Sequence, residues 1–326
     1  MTNVHCIPRA LAALALIAAN ASAAWCQAGG SLTPLNVATL PIASQTDVWV
    51  AQQRGIFGKN GIDAKITQFG ISGPAISAMQ GGSIDVLLVI VGLGMTAMQQ
   101  NFDLLPVFQD EVGHPTPPDS ATLQVLASSP IGKLSDLAGK KIGVGGLTTQ
   151  NTILTKHLLQ KSGVDLKTVQ FVETTFPSMP TALKMGQVDA VAAIDPFSTQ
   201  LYSTGAGKVL AWNYVDTIPQ QPIGVWFAKG SVAKNKPQLI EAFVRSMKEA
   251  VDYLKADEKR ARQEIVGYTR LDAELIDKMP LINWDYQVRP DKWQAVIDLM
   301  AESGQMRPQK ASEFLTSPHI QQFIVR

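Results

Sequence analysis

The chain is poor in the residues that most often carry bond-making chemistry. Among its 326 residues are two cysteines and four histidines. His5, His114, His157 and His319 are scattered without metal-ligand spacing, which argues against a zinc hydrolase. An excess of charge of either sign is also missing, with 28 Lys and Arg against 27 Asp and Glu. That balance gives no electrostatic reason to expect nucleic acid or an anionic membrane surface as a partner. Beyond the N-terminal segment, no apolar run approaches the ~20 residues of a membrane-spanning helix. What the chain does have is apolar mass. Hydrophobic residues make up 46%, enough to core one large domain or two ordinary ones.

Residues 1–28 read as an export signal. Arg9 precedes the apolar stretch Ala10 to Ala19, and small residues follow. Cleavage fits after Ala23 or after Ala28. Trp25 ahead of Cys26 disfavours a lipid anchor, which needs small residues before its cysteine. Removal would take away Arg9 and no acid, so the charge falls from +1 to zero. It would also remove Cys6, leaving Cys26 at most and no intramolecular disulfide. A periplasmic protein is the expectation.

The remaining chain repeats itself. Leu35 to Leu40 reads as a strand, Asp47 to Arg54 as a helix stopped by Gly55, and Gly61 to Phe69 as an alternating strand. The stretch "QFGISGPAISAMQGGSIDV" (Gln68 to Val86) then gives a turn, a helix, a glycine stop and an apolar strand opened by Asp85. About a hundred residues later, "TTFPSMPTALKMGQVDAVAAID" (Thr174 to Asp195) repeats that order, its strand opened by Asp189. Pro74 and Pro180 suit a first helical turn. Ala121 to Ser129 is a further strand, and a glycine turn leads to a helix capped by Thr148 or Thr149 and ended before Gly163. Pro222 to Gly230 is the last clear strand. From Pro237 the pattern is helical, with Leu239, Ile240, Phe243, Val244, Met247, Val251 and Leu254 on one face.

This is the grammar of two α/β units. Ligands of open α/β sheets sit beyond the carboxyl ends of the strands. Two facing units would aim two sets of helix N-termini, with free amide hydrogens, at one cleft. Capping alone also explains a Ser-Gly-Pro helix start.

Three enzyme motifs are incomplete. "GISGP" (Gly70 to Pro74) has proline where a nucleophile elbow needs glycine, and no histidine is placed as its partner. "GVGGLTT" (Gly143 to Thr149) lacks the last glycine of a dinucleotide loop and the lysine of a phosphate loop. Asp195 could act as a base, but its place before Pro196 favours a cap on the helix that Pro196 begins.

Taken together, "WVAQQRGIFGKNGIDAKI", "AMQGGSIDV", "LSDLAGKKIGV" and "ALKMGQVDAV" followed by "DPF" resemble the periplasmic solute-binding proteins of ABC importers. The subgroup is the nitrate/sulfonate/taurine-binding type, related to the thiamine-pyrimidine precursor family. The match runs from about Val37 to Ala228. The resemblance implies an α/β bilobal type II periplasmic-binding-protein clamshell, its lobes joined by two crossing strands. Residues 31–128 with 223–326 would form lobe one, and residues 129–222 lobe two. It implies a monomer that takes a small-molecule ligand and delivers it to a membrane permease and ATPase, without catalysis, cofactor or metal. The ligand would be of sulfonate, nitrate, taurine or aromatic acid type. By position, Ser44, Gln45, Thr46, Ser72, Gly73, Val91 and Gly92 of one lobe would meet Thr148, Thr149, Phe176 and Asp195 of the other. None of these loops carries Lys or Arg, so an anion would rest on amides and hydroxyls. A neutral ligand is equally open, as is whether Asp195 touches ligand or caps its helix. The family's pyrimidine-synthase branch carries a cysteine-rich motif that this chain lacks. An exported enzyme and a ligand-sensing subunit for a receptor kinase are the other readings.

Overall fold

The computed structural model describes residues 32–325; the export signal read at residues 1–28 lies outside them. Among the described residues the ten strands are β1 (Thr33–Thr39), β2 (Ile62–Gln68), β3 (Val86–Ile90), β4 (Leu104–Gln109), β5 (Ala121–Leu126), β6 (Lys141–Val144), β7 (Gln170–Glu173), β8 (Ala190–Ile194), β9 (Gly207–Trp212) and β10 (Gly224–Lys229). They form two five-stranded sheets of one plan, β2-β1-β3-β10-β4 and β7-β6-β8-β5-β9. In each, three parallel strands are followed by one reversed strand, which pairs on its far side with an edge strand. The reversed strand of each sheet, β10 or β5, is the one the chain reaches by crossing from the other lobe.

The repeated sentence in the sequence has a structural cause. Asp85 and Asp189 do the same work in the two lobes. Asp85 Oδ2 accepts the Asn36 backbone N–H at 2.8 Å, and its own N–H donates to the Asn36 carbonyl at 2.9 Å. Asp189 Oδ2 accepts from Lys141 N–H and returns a bond to its carbonyl, both at 2.8 Å. Each acid therefore clamps the start of a central parallel strand to its neighbour. Both acids are preceded by glycines in the left-handed region, Gly82 (φ 84°) and Gly186 (φ 67°), which end the helices Ser72–Gln80 and Met179–Lys184. The strands that follow, β3 and β8, are buried throughout, as expected for strands covered on both faces.

The structure corrects one boundary. Ala121–Leu126, expected in lobe one, belongs to the second sheet, where β5 pairs with β8 and β9. The proline-rich stretch Pro115 to Ser120 completes the first crossing, which begins after β4. The chain leaves the first sheet after β4 and returns to it at β10. The two crossings lie side by side. Ile223 N–H donates to Glu111 O at 3.0 Å, Gly113 N–H to Gln221 O at 2.9 Å, and Val112 bridges Pro222. A third segment braces them, with Val112 N–H donating to Asn283 O and Asp285 N–H to Asp110 O.

The helix Pro237–Lys255 buries its predicted apolar face against the first sheet. Phe243 meets Trp226 edge-on at 5.3 Å and stacks on Phe57 at 6.1 Å. Another apolar cluster spans both lobes, joining Ile42, Leu87 and Val89 to Ala121, Val191 and Ile194. Thr149 sits at the start of the helix Gln150–Lys161, but its hydroxyl donates to the Gly146 carbonyl instead of accepting a helix amide.

Close packing makes one glycine in lobe one indispensable. A Cβ on Gly94 would lie 2.2 Å from Cζ of the buried Phe227 ring, whereas one on Gly58 would meet nothing within 4 Å. We expect Gly94→Ala to destabilise the fold by about 1–3 kcal/mol through overpacking, and Gly58→Ala to be neutral or mildly stabilising. Paired chemical denaturation curves check this; equal stabilities would contradict it.

Candidate functional site

The carboxyl ends of β3 and β8 face each other across the two crossings, and a cavity of about 20 Å³ lies between them. That is room for about one water, so the walls must part to admit even a small organic solute. Lobe one supplies Ile42, Ser44, Leu88 and Ile90, and lobe two supplies Ser120, Ile194, Asp195 and Tyr214. The crossings add Glu111, Ile223 and Gly224, and the C-terminal segment adds Ile282. The lining is mainly apolar, and its charged members are two acids. No Lys or Arg lines it.

Burial dominates the electrostatics. It pushes Glu111 up to about 8, with Asp119, Asp195 and Asp47 adding to the rise and the Ser44 hydroxyl opposing it. Burial likewise pushes Asp195 up to about 8 against two hydrogen bonds from Thr199. Asp119 rises less, to about 6, because backbone N–H groups hold both its oxygens: Ser120 at 2.7 Å and Val215 at 3.0 Å. Asp47 and Asp110 are also fully buried, and burial is again the main cause of their shifts; Asp47 adds to the rise of Asp110, whereas contact with Asp110 works against the rise of Asp47. Asp47 is pushed up to about 7, and Asp110 well above the carboxylate range. Asp110 Oδ2 accepts from Trp226 Nε1 at 2.9 Å. A Cβ on Gly224 would meet Asp110 Oδ1 at 2.1 Å, so glycine there lets the acid lie against the second crossing.

Asp195 does two things at once. Its Oδ1 accepts from Thr199 N–H at 2.9 Å and Thr199 Oγ1 at 2.8 Å, which ties down the helix Phe197–Ser203. Its Oδ2 is buried without a hydrogen-bond partner among the described residues.

Of the residues singled out in the sequence, Ser44 and Asp195 line the cavity. Gln45 and Thr46 are buried in the turn after β1. Gln45 Oε1 accepts from Leu40 N–H, and Thr46 Oγ1 donates to Ala43 O. Val91 and Gly92 follow Ile90, and the Gly92 N–H is taken by Gln150 Oε1 of the other lobe at 3.1 Å. Ser72, Gly73, Thr148 and Thr149 do not reach the cavity; Gly73 and Thr148 are exposed. Phe176 instead packs on Gly145, where a Cβ would lie 2.3 Å from its ring. Gly145 of "GVGG" thus makes room for an aromatic ring. Glu111, Ser120, Tyr214 and Gln150 escaped the sequence reading. The available signal was the acid pair of "QDEVG" (Gln109 to Gly113), closing an apolar run just before the proline-rich crossing.

Residues 43–261 match the family described as NMT1/THI5 like, and the chain belongs to that family. It is 26% identical over 253 residues to an ABC transporter periplasmic binding protein of Brachyspira hyodysenteriae, covering 73% of this chain and 70% of that one. Two of the solved structures that share its fold illustrate the match. One is the ligand binding component of an ABC-type import system from Staphylococcus aureus with zinc bound, with a TM-score of 0.76, 16% identity, and coverage of 89% of this chain and 99% of that one. The other is the alkanesulfonate-binding protein of Xanthomonas axonopodis pv. citri bound to MOPS, with a TM-score of 0.71, 18% identity, and coverage of 91% and 99%. The architecture is the bilobal fold of periplasmic binding proteins.

The raised acids set the pH dependence of stability. Unfolded Asp and Glu titrate near 4, while folded Glu111 and Asp195 titrate at about 8 and Asp47 at about 7. Between these limits the folded state binds more protons, so stability is highest at the acidic end and is lost as pH rises toward 8. We expect the melting temperature of the ligand-free protein to fall from pH 5 to pH 8.5, and Glu111→Gln to flatten that fall. A melting temperature that climbs over this window would contradict the assignment.

Proposed function

We propose that this protein is the solute-binding component of an ABC import system, exported by residues 1–28 to the periplasm. It captures a small solute between its lobes and presents the closed form to a membrane permease and its ATPase. The observation that carries this reading is the cavity, whose walls come from both lobes and both crossings. The lobes we propose as moving bodies are residues 33 to about 114 with 223–325, and about 115 to 222. The paired crossings would act as the hinge.

A polar relay supports closure as a defined state. Gly92 N–H of lobe one donates to Gln150 Oε1 of lobe two. Gln150 Nε2 donates to Gln221 Oε1 and Pro222 O in the second crossing, and Gln221 Nε2 donates to Tyr214 O on the cavity wall. The relay links both lobes and the hinge, and parting the walls breaks its first bond. Binding rather than turnover fits the lining, which contains no histidine or cysteine. Binding without an uptake defect on gene deletion would instead favour a sensing subunit.

Solution scattering tests the reading. The ligand-free protein should exchange between the closed structure and more open forms, so that its average radius of gyration exceeds that of the closed structure, and a bound solute should contract it. An unchanged envelope with a saturating solute would contradict the proposal. Gln150→Ala should favour the open form and weaken binding by about 1 kcal/mol, the net worth of one hydrogen bond.

A further inference from the structure

We infer that the solute carries a cationic nitrogen group, a protonated amine or an amidinium, on a compact apolar body, with its N–H groups seated between the Glu111 carboxylate and the free Oδ2 of Asp195. This names the ligand class of the site just proposed and rests on that reading.

Three observations carry it. First, Glu111 and Asp195 both line the cavity, one from the first crossing and one from the end of β8, so closure brings two acids to the same space. Second, Asp195 is 3% exposed, and its Oδ2 has no partner although Oδ1 has two donors. A buried acceptor left open is costly unless something completes it. Third, the donors an anion would need are elsewhere. The helix starts at Ser72 and Thr149 do not reach the cavity, and the Gly92 N–H is already held by Gln150. What remains is hydroxyls, on Ser44, Ser120 and Tyr214, and the carboxyl O–H of Glu111 or Asp195 while it keeps its proton. With no Lys or Arg in the lining, and beside two acids that lose those protons as pH rises through 8, these would hold nitrate or a sulfonate poorly above that pH. The apolar walls, Ile42, Leu88, Ile90, Ile194, Ile223 and Ile282, would cover the rest of the solute.

The pH behaviour follows from the groups around the site. Asp47, Asp110 and Asp119 lie behind Glu111, Tyr202 lies behind Asp195 through Thr199, Tyr214 closes one wall, and His114 sits further along the first crossing. Burial holds Glu111 and Asp195 near 8 in the closed form, so there, without ligand, they are largely neutral at pH 7. A cation favours their ionised forms and displaces protons. Cation affinity therefore rises with pH through 8, whereas an anion would lose affinity over the same range.

The test uses benzylamine and benzamidine as cationic probes, benzyl alcohol as a neutral one, and nitrate and methanesulfonate as anions, each followed by calorimetry at pH 6 and pH 8. We expect at least one cationic probe to bind, more tightly at pH 8, with release of protons. Glu111→Gln and Asp195→Asn should each weaken it at least tenfold while the empty variants still melt cooperatively. Failure of both cationic probes to bind at 10 mM overturns the inference. So does equal binding of benzyl alcohol, or cation binding that survives both substitutions. If an anion binds and contracts the protein in scattering, the inference falls but the importer reading stands. If a cation binds without contraction, the ligand class stands and closure fails.

Discussion

The structure depends on the pairing of the two crossing segments. Asp110 to His114 runs antiparallel to Gln220 to Gly224, and their hydrogen bonds are the main-chain link between the two sheets. Each sheet borrows its reversed strand from the far side of that link. The fold therefore cannot complete either sheet without threading the chain through one narrow waist. The waist is also where the acids are buried. Asp110 rests against Gly224 and accepts from Trp226, and Glu111, one residue later, faces the cavity. The same short segment is hinge, floor and wall, so a change in the charge at the site is felt at the pivot.

That placement creates a tension which binding can relieve. Carboxyls removed from water are costly when ionised, and here the charged groups acting on Glu111 and Asp195 are other carboxyls. In the closed form the acids lower that cost by keeping their protons. A solute that brings positive charge allows them to ionise in place, so its binding energy and the closing of the lobes draw on the same interaction. The relay through Gln150 and Gln221 is neutral and serves a different purpose: it fixes the geometry in which the acids meet.

Much of the fold was legible because its signals are local. The glycine-acid-apolar order before β3 and β8 is written twice, and each copy performs the same clamp. β4 and β9, at one edge of each sheet, carry no such signal. Pro106 interrupts β4, and most of β9 is only half-buried, so neither alternates cleanly. The lobe boundary was misplaced because an apolar strand such as β5 reads the same in either sheet; only its partners decide. At the site, Ser44 and Asp195 could be found because ligands gather at strand ends. Glu111 and Tyr214 were missed, since one comes from a crossing and the other from the turn after β9, and packing over a long sequence separation brings them together. Ser72 and Thr148 looked like ligand donors for reasons that helix starts satisfy without any ligand.

The central claim is that the cleft stores two neutral acids which a cationic solute ionises. Carbon-13 spectra of side-chain carboxyls, with Glu111 and Asp195 assigned through Glu111→Gln and Asp195→Asn, measure this directly. In the free protein both resonances should titrate near pH 8, and at pH 7 saturating benzamidine should move both to the ionised position. Acids already ionised near pH 4 in the free protein, with shifts that ignore the amidine, would contradict the account.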